Sequence, residues 1–397
     1  MRYSESRQIA LIYGHYDNPN QPYLANCSKK LMESGFQINI FSHSPITARK
    51  QEKVFELSPL QGRLRILINF IKYLAKAPEP FYRLLLDDSN LAIKDKLSIW
   101  SRYSELLTLE PKVIHLVNSY IFPKYSFFIN KFKSISVISF RGHDTVVRPF
   151  SDDAWCEILK EIFHQCDYLH YVSNYLRDEG LKLGAPPEKA FVIYPGIDID
   201  FYSPQENNRN YYNETVLTII SVGRLVWQKG LINALKAVKI ILNNNYDIQY
   251  WIVGDGSDKD QLLFWRRMLG IENNVKFFGF QPPSQIKLLL NIADIFLQPS
   301  VTEAIPVSGM EAAAMELPVI ASNVGGLPEL IDHGTTGLLV SPDNPIALAE
   351  AIILLAEAKD KRLEMGKQAR KKVIRDFSLE REVKDWVKLY QMILKLI

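Results

Sequence analysis

Two glutamates, Glu303 and Glu311, stand eight positions apart in Gln298–Val340, QPSVTEAIPVSGMEAAAMELPVIASNVGGLPELIDHGTTGLLV. Glu303 falls in the loop after an apolar run, and Glu311 is expected to open the alanine-rich helix MEAAAMEL. The intervening IPVSG leads into that helix. A helix N-terminus carries unpaired N–H groups and the positive end of the helix dipole, so it receives anions. Pro306 has no N–H, which leaves Val307 and Ser308 as the expected donors. A carboxylate also pairs well with vicinal hydroxyls, as on ribose or a sugar ring. One acid at each end of an anion cradle therefore suits a phosphate flanked by two sugars. A plainer reading of Glu311 also stands, in which an acid just inside a helix complements its dipole.

The second group of residues is cationic. In Ile220–Gly230, ISVGRLVWQKG, Gly223 permits a tight turn at the end of an apolar strand, and Arg224 and Lys229 follow. Arginine supplies a planar fork and lysine a point charge, a pairing suited to a diphosphate. The alternative is a surface loop with two solvated cations. In Trp251–Leu263, WIVGDGSDKDQLL, Gly254 and Gly256 follow another strand. This is neither GxxxxGK[ST] nor GxGxxG, because Lys259 stands where the third glycine would be. The two glycines are read as letting the backbone turn sharply near a ligand.

Parallel strands must position these loops. Apolar, β-branched runs recur at Ile9–Tyr13, Ile38–Ser42, Val113–Val117, Val137–Phe140, Tyr168–Val172 and Phe191–Tyr194. They return at Val216–Val222, Gln249–Val253, Val275–Phe278, Ile295–Gln298, Val319–Ala321 and Leu338–Val340, with helical patterns between. Strand–helix alternation implies parallel sheets covered on both faces, and six strands per half imply an α/β chain of two doubly wound domains. The boundary is expected in Tyr194–Asn213, which has two prolines, a glycine and an Asn-rich tail. The domains are thus read as 1–200 and 201–376, closed by a helix over 377–397 in which Trp386, Leu389, Tyr390 and Ile393 recur at helical spacing.

The chain has 397 residues, 47% of them hydrophobic, and its 47 Lys+Arg against 44 Asp+Glu give a net charge of only +3. That balance gives no electrostatic footprint for nucleic acid, so none is expected as a partner. Cys27, Cys156 and Cys166 are too few for a disulfide framework or a zinc site, and no metal is expected. The first apolar run, Ile9–Tyr13, is too short for a signal peptide, and no stretch approaches a spanning helix. A cytoplasmic protein is expected. Gln61–Ala77 differs: Leu64, Leu67, Ile68, Ile71, Leu74 and Ala75 share one helical face, and Arg63, Arg65, Lys72 and Lys76 stand without an acid. This is the composition of a helix on an anionic membrane surface, or of a core-facing helix with solvated lysines.

The stretch TEAIPVSGMEAAAMELPVIASNVGGLPELI resembles the hallmark of the retaining GT-B glycosyltransferases often called family 4. SVGRLVWQKG is similar to their diphosphate loop, VGDG to the next turn, YPGIDIDFYSP to the interdomain segment and FSLEREVKDWVKLY to the closing helix. The resemblance runs in order from Tyr194 to Ile397. It implies two Rossmann-like domains facing a cleft, a nucleoside-diphosphate sugar as donor, and no further cofactor. It implies that Arg224 and Lys229 hold the diphosphate, the Val307 and Ser308 N–H groups its oxygens, and Glu311 the ribose. Glu303 would face the transferred sugar. The last helix would cross back to the N-terminal domain. A saccharide or lipid-linked saccharide acceptor would be bound by the N-terminal half, for polysaccharide or glycolipid synthesis, with the protein peripheral at the inner face of the membrane.

The first half resembles the family less closely. The loop after its first strand, YGHYDNPNQPY, has only Gly14 where the family has a glycine-rich loop. The family's Phe-His-Gly-x-Asp becomes Phe140-Arg141-Gly142-His143-Asp144. Arg141 is read as a donor contact, His143 as an acceptor-orienting or structural residue, and Asp144 as a helix cap. Asp198-Ile199-Asp200 imitates a metal-binding Asp-x-Asp but lies in the linker. Two alternatives accompany the transferase reading: a nucleotide-sugar epimerase or hydrolase on the same fold, and a non-catalytic sugar-binding module.

Overall fold

A computed structural model of the chain describes residues 8–16, 22–43, 54–56, 70–75, 78–86, 92–129, 134–205 and 216–395. They form two compact units. The first contains Met1–Tyr171, Gly180–Phe191 and Val383–Ile397, and the second Val172–Glu179 and Val192–Glu382. The helix Leu379–Lys395 therefore begins in the second unit and continues in the first.

The first unit is built on a seven-stranded sheet, in the order β3-β2-β1-β4-β5-β6-β7. Its strands are β1 Gln8–Tyr13, β2 Gln37–Ser42, β3 Val54–Glu56, β4 Val113–Leu116, β5 Ile135–Phe140, β6 Tyr168–Tyr171 and β7 Ala190–Val192. Six strands were expected, and β3 is the addition. It runs parallel to β2, with Ile40 beside Val54, and its three residues are too few to display a period. Every residue of β1 and β2 after the first is buried; β1 reads as an unbroken apolar run, whereas β2 also buries Asn39 and Ser42.

The second unit holds six parallel strands in the order β10-β9-β8-β11-β12-β13. They are β8 Leu217–Val222, β9 Ile248–Val253, β10 Val275–Gly279, β11 Ile295–Gln298, β12 Val319–Ser322 and β13 Gly337–Val340. Their inner residues pack with the helices Leu231–Asn243 and Pro345–Glu357 into one core, including Ile219, Tyr250, Val238 and Ile352. The helix Val307–Ala314 starts at Val307, after Pro306. Glu311 therefore lies in its second turn and does not open a helix, as the sequence suggested.

Of Gln61–Ala77, residues 61–69 and 76–77 lie outside the described residues. Residues 70–75 are helical, and Tyr73 is buried there while Ile71 is 57% exposed. Among the described residues no helix is long and apolar enough to cross a membrane.

The first unit carries a polar chain across its sheet. His115 on β4, Ser139 on β5 and His170 on β6 are all buried. Ser139 Oγ lies 2.8 Å from His115 Nε2 and 2.8 Å from His170 Nδ1. The helix Leu379–Lys395 supplies the remaining partners. Tyr390 Oη lies 2.7 Å from His115 Nδ1, and the Trp386 ring sits 4.7 Å from the His115 ring and 4.6 Å from that of His170. Buried polar groups are tolerated when each satisfies the next. Burial, reinforced by His170 and Arg141, holds His115 well below the ordinary histidine value of 6.5. Burial and Lys124 bring His43 down to about 4.

Both histidines are neutral in the fold and titrate normally once unfolded. Their contribution is complete above pH 6.5 and declines below it, as the unfolded chain takes up protons that the fold refuses. Each group changes stability by up to ~1.4 kcal/mol per pH unit across that window. We expect unfolding by denaturant to show stability falling between pH 7 and pH 5, with a shallower slope in His115→Gln. An unchanged slope in that variant would remove His115 from the explanation.

Candidate functional site

The order of the second sheet dictates where chemistry can gather. The chain runs outward from β8 to β10, then returns to lay β11 on the other side of β8. At this switch the loops after β8 and β11 leave in opposite directions and open a crevice beyond the carboxyl ends of the strands. The two loops are laced by backbone, with Val301 N–H donating to the Gln228 carbonyl at 2.8 Å. The turn after β9 completes the rim. Leu225 N–H reaches Asp255 O at 2.9 Å, and Gly254 N–H reaches Gly279 O at 2.8 Å. Gly254 has φ +137°, and a Cβ there would fall 1.8 Å from Gly223 O. Only glycine lets these two turns touch.

Arg224 and Lys229 emerge from the first of these loops. Lys229 closes the single turn Trp227–Lys229, just before the helix Leu231–Asn243. Its ammonium pairs with Glu303 Oε2 from the loop after β11, both side chains being largely buried at 18% and 13% exposure. The same Oε2 lies 3.4 Å from Gln298 Nε2 and 3.5 Å from Ser300 Oγ. Arg224 is exposed, and no carboxylate among the described residues pairs with it. Ser221, Gly223, Arg224, Lys229, Gln298 and Pro299 line the depression between the loops.

The Glu303 loop is itself held from outside. Gly326 N–H donates to Glu303 O at 3.0 Å. Gly325 has φ +58°, and a Cβ on it would lie 1.9 Å from Glu303 O. The pair Gly325-Gly326 thus sets the height of the glutamate. This residue pair stands after β12 in the sequence, and its role there was not anticipated.

The helix Val307–Ala314 leaves the same loop. Met310 N–H is the first to bond back, to Pro306 O at 3.1 Å, so the Val307 and Ser308 N–H groups have no partner among the described residues. Glu311 stands one turn further in, and its Oε1 accepts the Tyr202 hydroxyl at 2.8 Å. Burial raises the Glu311 carboxyl to about 7, and the Tyr202 hydrogen bond opposes the rise. Tyr202 belongs to the segment after β7 and was not singled out from sequence.

Arg141 and His143 fall in the first unit. Arg141 Nε donates to Val117 O at 2.9 Å. His143 is exposed, and its Nδ1 lies 2.8 Å from the Tyr120 hydroxyl. Asp144 is buried and braces the loop, accepting Gly142 N–H at 2.8 Å and the Ser119 hydroxyl at 2.5 Å. It lies inside the short helix His143–Val146, whose N-cap is Gly142, so it is not the helix cap read from sequence. Asp198 folds back on its own turn, its Oδ1 accepting Asp200 N–H at 3.1 Å and Phe201 N–H at 2.9 Å. Among the described residues no group of three or more His, Cys, Asp or Glu side chains is arranged to hold a metal.

The model described as Glycosyltransferase Family 4 matches residues 21–201, and that described as Glycosyl transferases group 1 matches residues 204–372. The putative colanic acid biosynthesis glycosyltransferase WcaL of Escherichia coli K12 is 33% identical over 226 residues, 55% of each chain. The amylovoran biosynthesis glycosyltransferase AmsK of Erwinia amylovora is 32% identical over 262 residues, 63% of each chain. The chain thus spans between about half and two thirds of the length of these relatives. The crystal structure of Anabaena HepE in complex with UDP and glucose superimposes with a TM-score of 0.74 at 18% identity, over 97% of this chain and 99% of that one. A likeness at that identity establishes the fold. With one model taking up the first half, the other the second, and the fold common to both lengths, the chain belongs to the GT-B glycosyltransferases of family 4 and group 1.

Proposed function

We propose that this protein transfers a sugar from a nucleoside-diphosphate sugar to a hydroxyl of a saccharide or lipid-linked saccharide, retaining the anomeric configuration, in the synthesis of a surface polysaccharide or glycolipid. One observation carries the reading: Arg224, the Lys229–Glu303 pair, the free Val307 and Ser308 N–H groups and Glu311 all gather on the loops and helix at one sheet switch. The names of the colanic acid and amylovoran relatives support the polysaccharide, and UDP in the HepE structure makes it the first nucleotide to test.

In this reading the diphosphate lies against the helix N-terminus and the two cations. Glu311 accepts the ribose hydroxyls, and Glu303 those of the transferred sugar. The acceptor oxygen attacks the anomeric carbon on the face that the phosphate leaves. The bond from that carbon to the phosphate oxygen breaks, and the leaving oxygen takes the acceptor's proton. Arg224, Lys229 and the backbone donors stabilise the charge that builds on the departing diphosphate, without a covalent intermediate. Lys229 turns from Glu303 alone toward both Glu303 and phosphate, so donor binding replaces part of an ion pair already formed. The first unit, through His143, is assigned the acceptor.

Two outcomes are expected. Thermal unfolding with UDP, GDP and ADP should rise with one of them, since a ligand at 100 times its Kd stabilises by ~2.7 kcal/mol. The rise should vanish in Glu311→Ala. In transfer assays Arg224→Ala and Glu303→Ala should each lose about 10- to 100-fold, the worth of one charge-assisted hydrogen bond. Undiminished turnover in both variants would sink the site assignment.

A further inference from the structure

Tyr202 is buried, and its hydroxyl has one partner among the side chains, Glu311 Oε1 at 2.8 Å. Its backbone is fixed with equal care. The Arg370 guanidinium donates to Tyr202 O at 2.8 Å, to Ile199 O at 3.4 Å, and to Ala314 O at the end of the helix that bears Glu311. One arginine thus clamps the tyrosine's segment and the glutamate's helix to each other. On the carboxylate's other oxygen, Oε2, no hydrogen bond falls from any described residue. The carboxylate is therefore held by one oxygen and open at the other.

We propose that Tyr202 is a positioning residue for the donor nucleotide, its hydroxyl fixing one oxygen of Glu311 so that the other receives a ribose hydroxyl. The inference rests on the reading of Glu311 given above. Its chemical content is that a buried carboxyl must be ionised to accept two hydroxyls, while burial favours the protonated form. The Tyr202 hydroxyl is the group that opposes burial there. The other charges nearby act elsewhere. Arg370 is engaged with carbonyls, Asp198 faces Tyr202, and Lys287 lies over the Phe201 ring.

The test is calorimetric titration of the wild-type protein, Tyr202→Phe and Glu311→Gln with UDP, GDP and ADP, from pH 6 to pH 9. Glu311→Gln supplies the baseline set by ionisation of the nucleotide's own phosphate. Wild type should lose affinity as pH falls through about 7, where Glu311 takes up a proton. In Tyr202→Phe the midpoint should move up by about one pH unit, making binding about fivefold weaker at pH 7 and nearly normal at pH 9. Recovery at high pH is the signature that a merely structural role cannot produce. An affinity loss equal at all pH values, or a profile superimposable on wild type, overturns the positioning role while weakened binding in Glu311→Gln leaves the ribose reading intact. Wild-type affinity in Glu311→Gln, or no binding of any of the three nucleotides, overturns both.

Discussion

The ion pair between Lys229 and Glu303 closes the gap at which the second sheet reverses direction, and the rest of the site is arranged around it. Without a ligand, a lysine and a glutamate from two separate loops would each be a largely buried charge. Facing one another, they satisfy part of each other's demand, and Gln298 and Ser300 stand beside the glutamate. The pairing also draws together loops that the chain separates by three strands. A diphosphate arriving here meets a cation already in position, held by a partner that must be shared and not abandoned.

Rigid backbone makes that arrangement repeatable. The turn at Gly254 touches the turn at Gly223, and Gly325 lies against Glu303, each at distances that leave no space for a Cβ. The acidic and basic side chains are long, but their anchoring peptides are laced into neighbouring loops. The site thus divides into a laced backbone frame and the side chains that extend from it. That division suits a group transfer in which charge moves and the frame must not.

Much of this was legible because the active elements are local in sequence. Buried parallel strands announce themselves as apolar runs, and Arg224 with Lys229, or Glu303 with Glu311, sit within one loop and the next helix. The departures have physical causes. Val307-Ser308-Gly309 has weak helix propensity, yet Pro306 in extended backbone starts the helix there, placing Glu311 a turn deeper than expected. The strand Val54–Glu56 is recruited by its neighbour β2 and carries no pattern of its own. Tyr202 and Glu311 are 109 residues apart, and no local rule links them. His115 with Tyr390, 275 apart, is beyond any reading by spacing.

That last separation has a consequence for how the chain comes to be folded. The core of the first unit includes Trp386, Tyr390 and Ile393, which follow the whole of the second unit in the sequence. Until they emerge, the face of its sheet that holds His115 and His170 lacks its cover. The second unit, although encoded later, has all its residues once Glu382 has been made, a few residues earlier. Bringing a partner back across 275 positions also carries a large loop-closure entropy. Within this sequence the order of completion therefore runs against the order of the strands: the first sheet is covered only after the residues of the second unit have all been made.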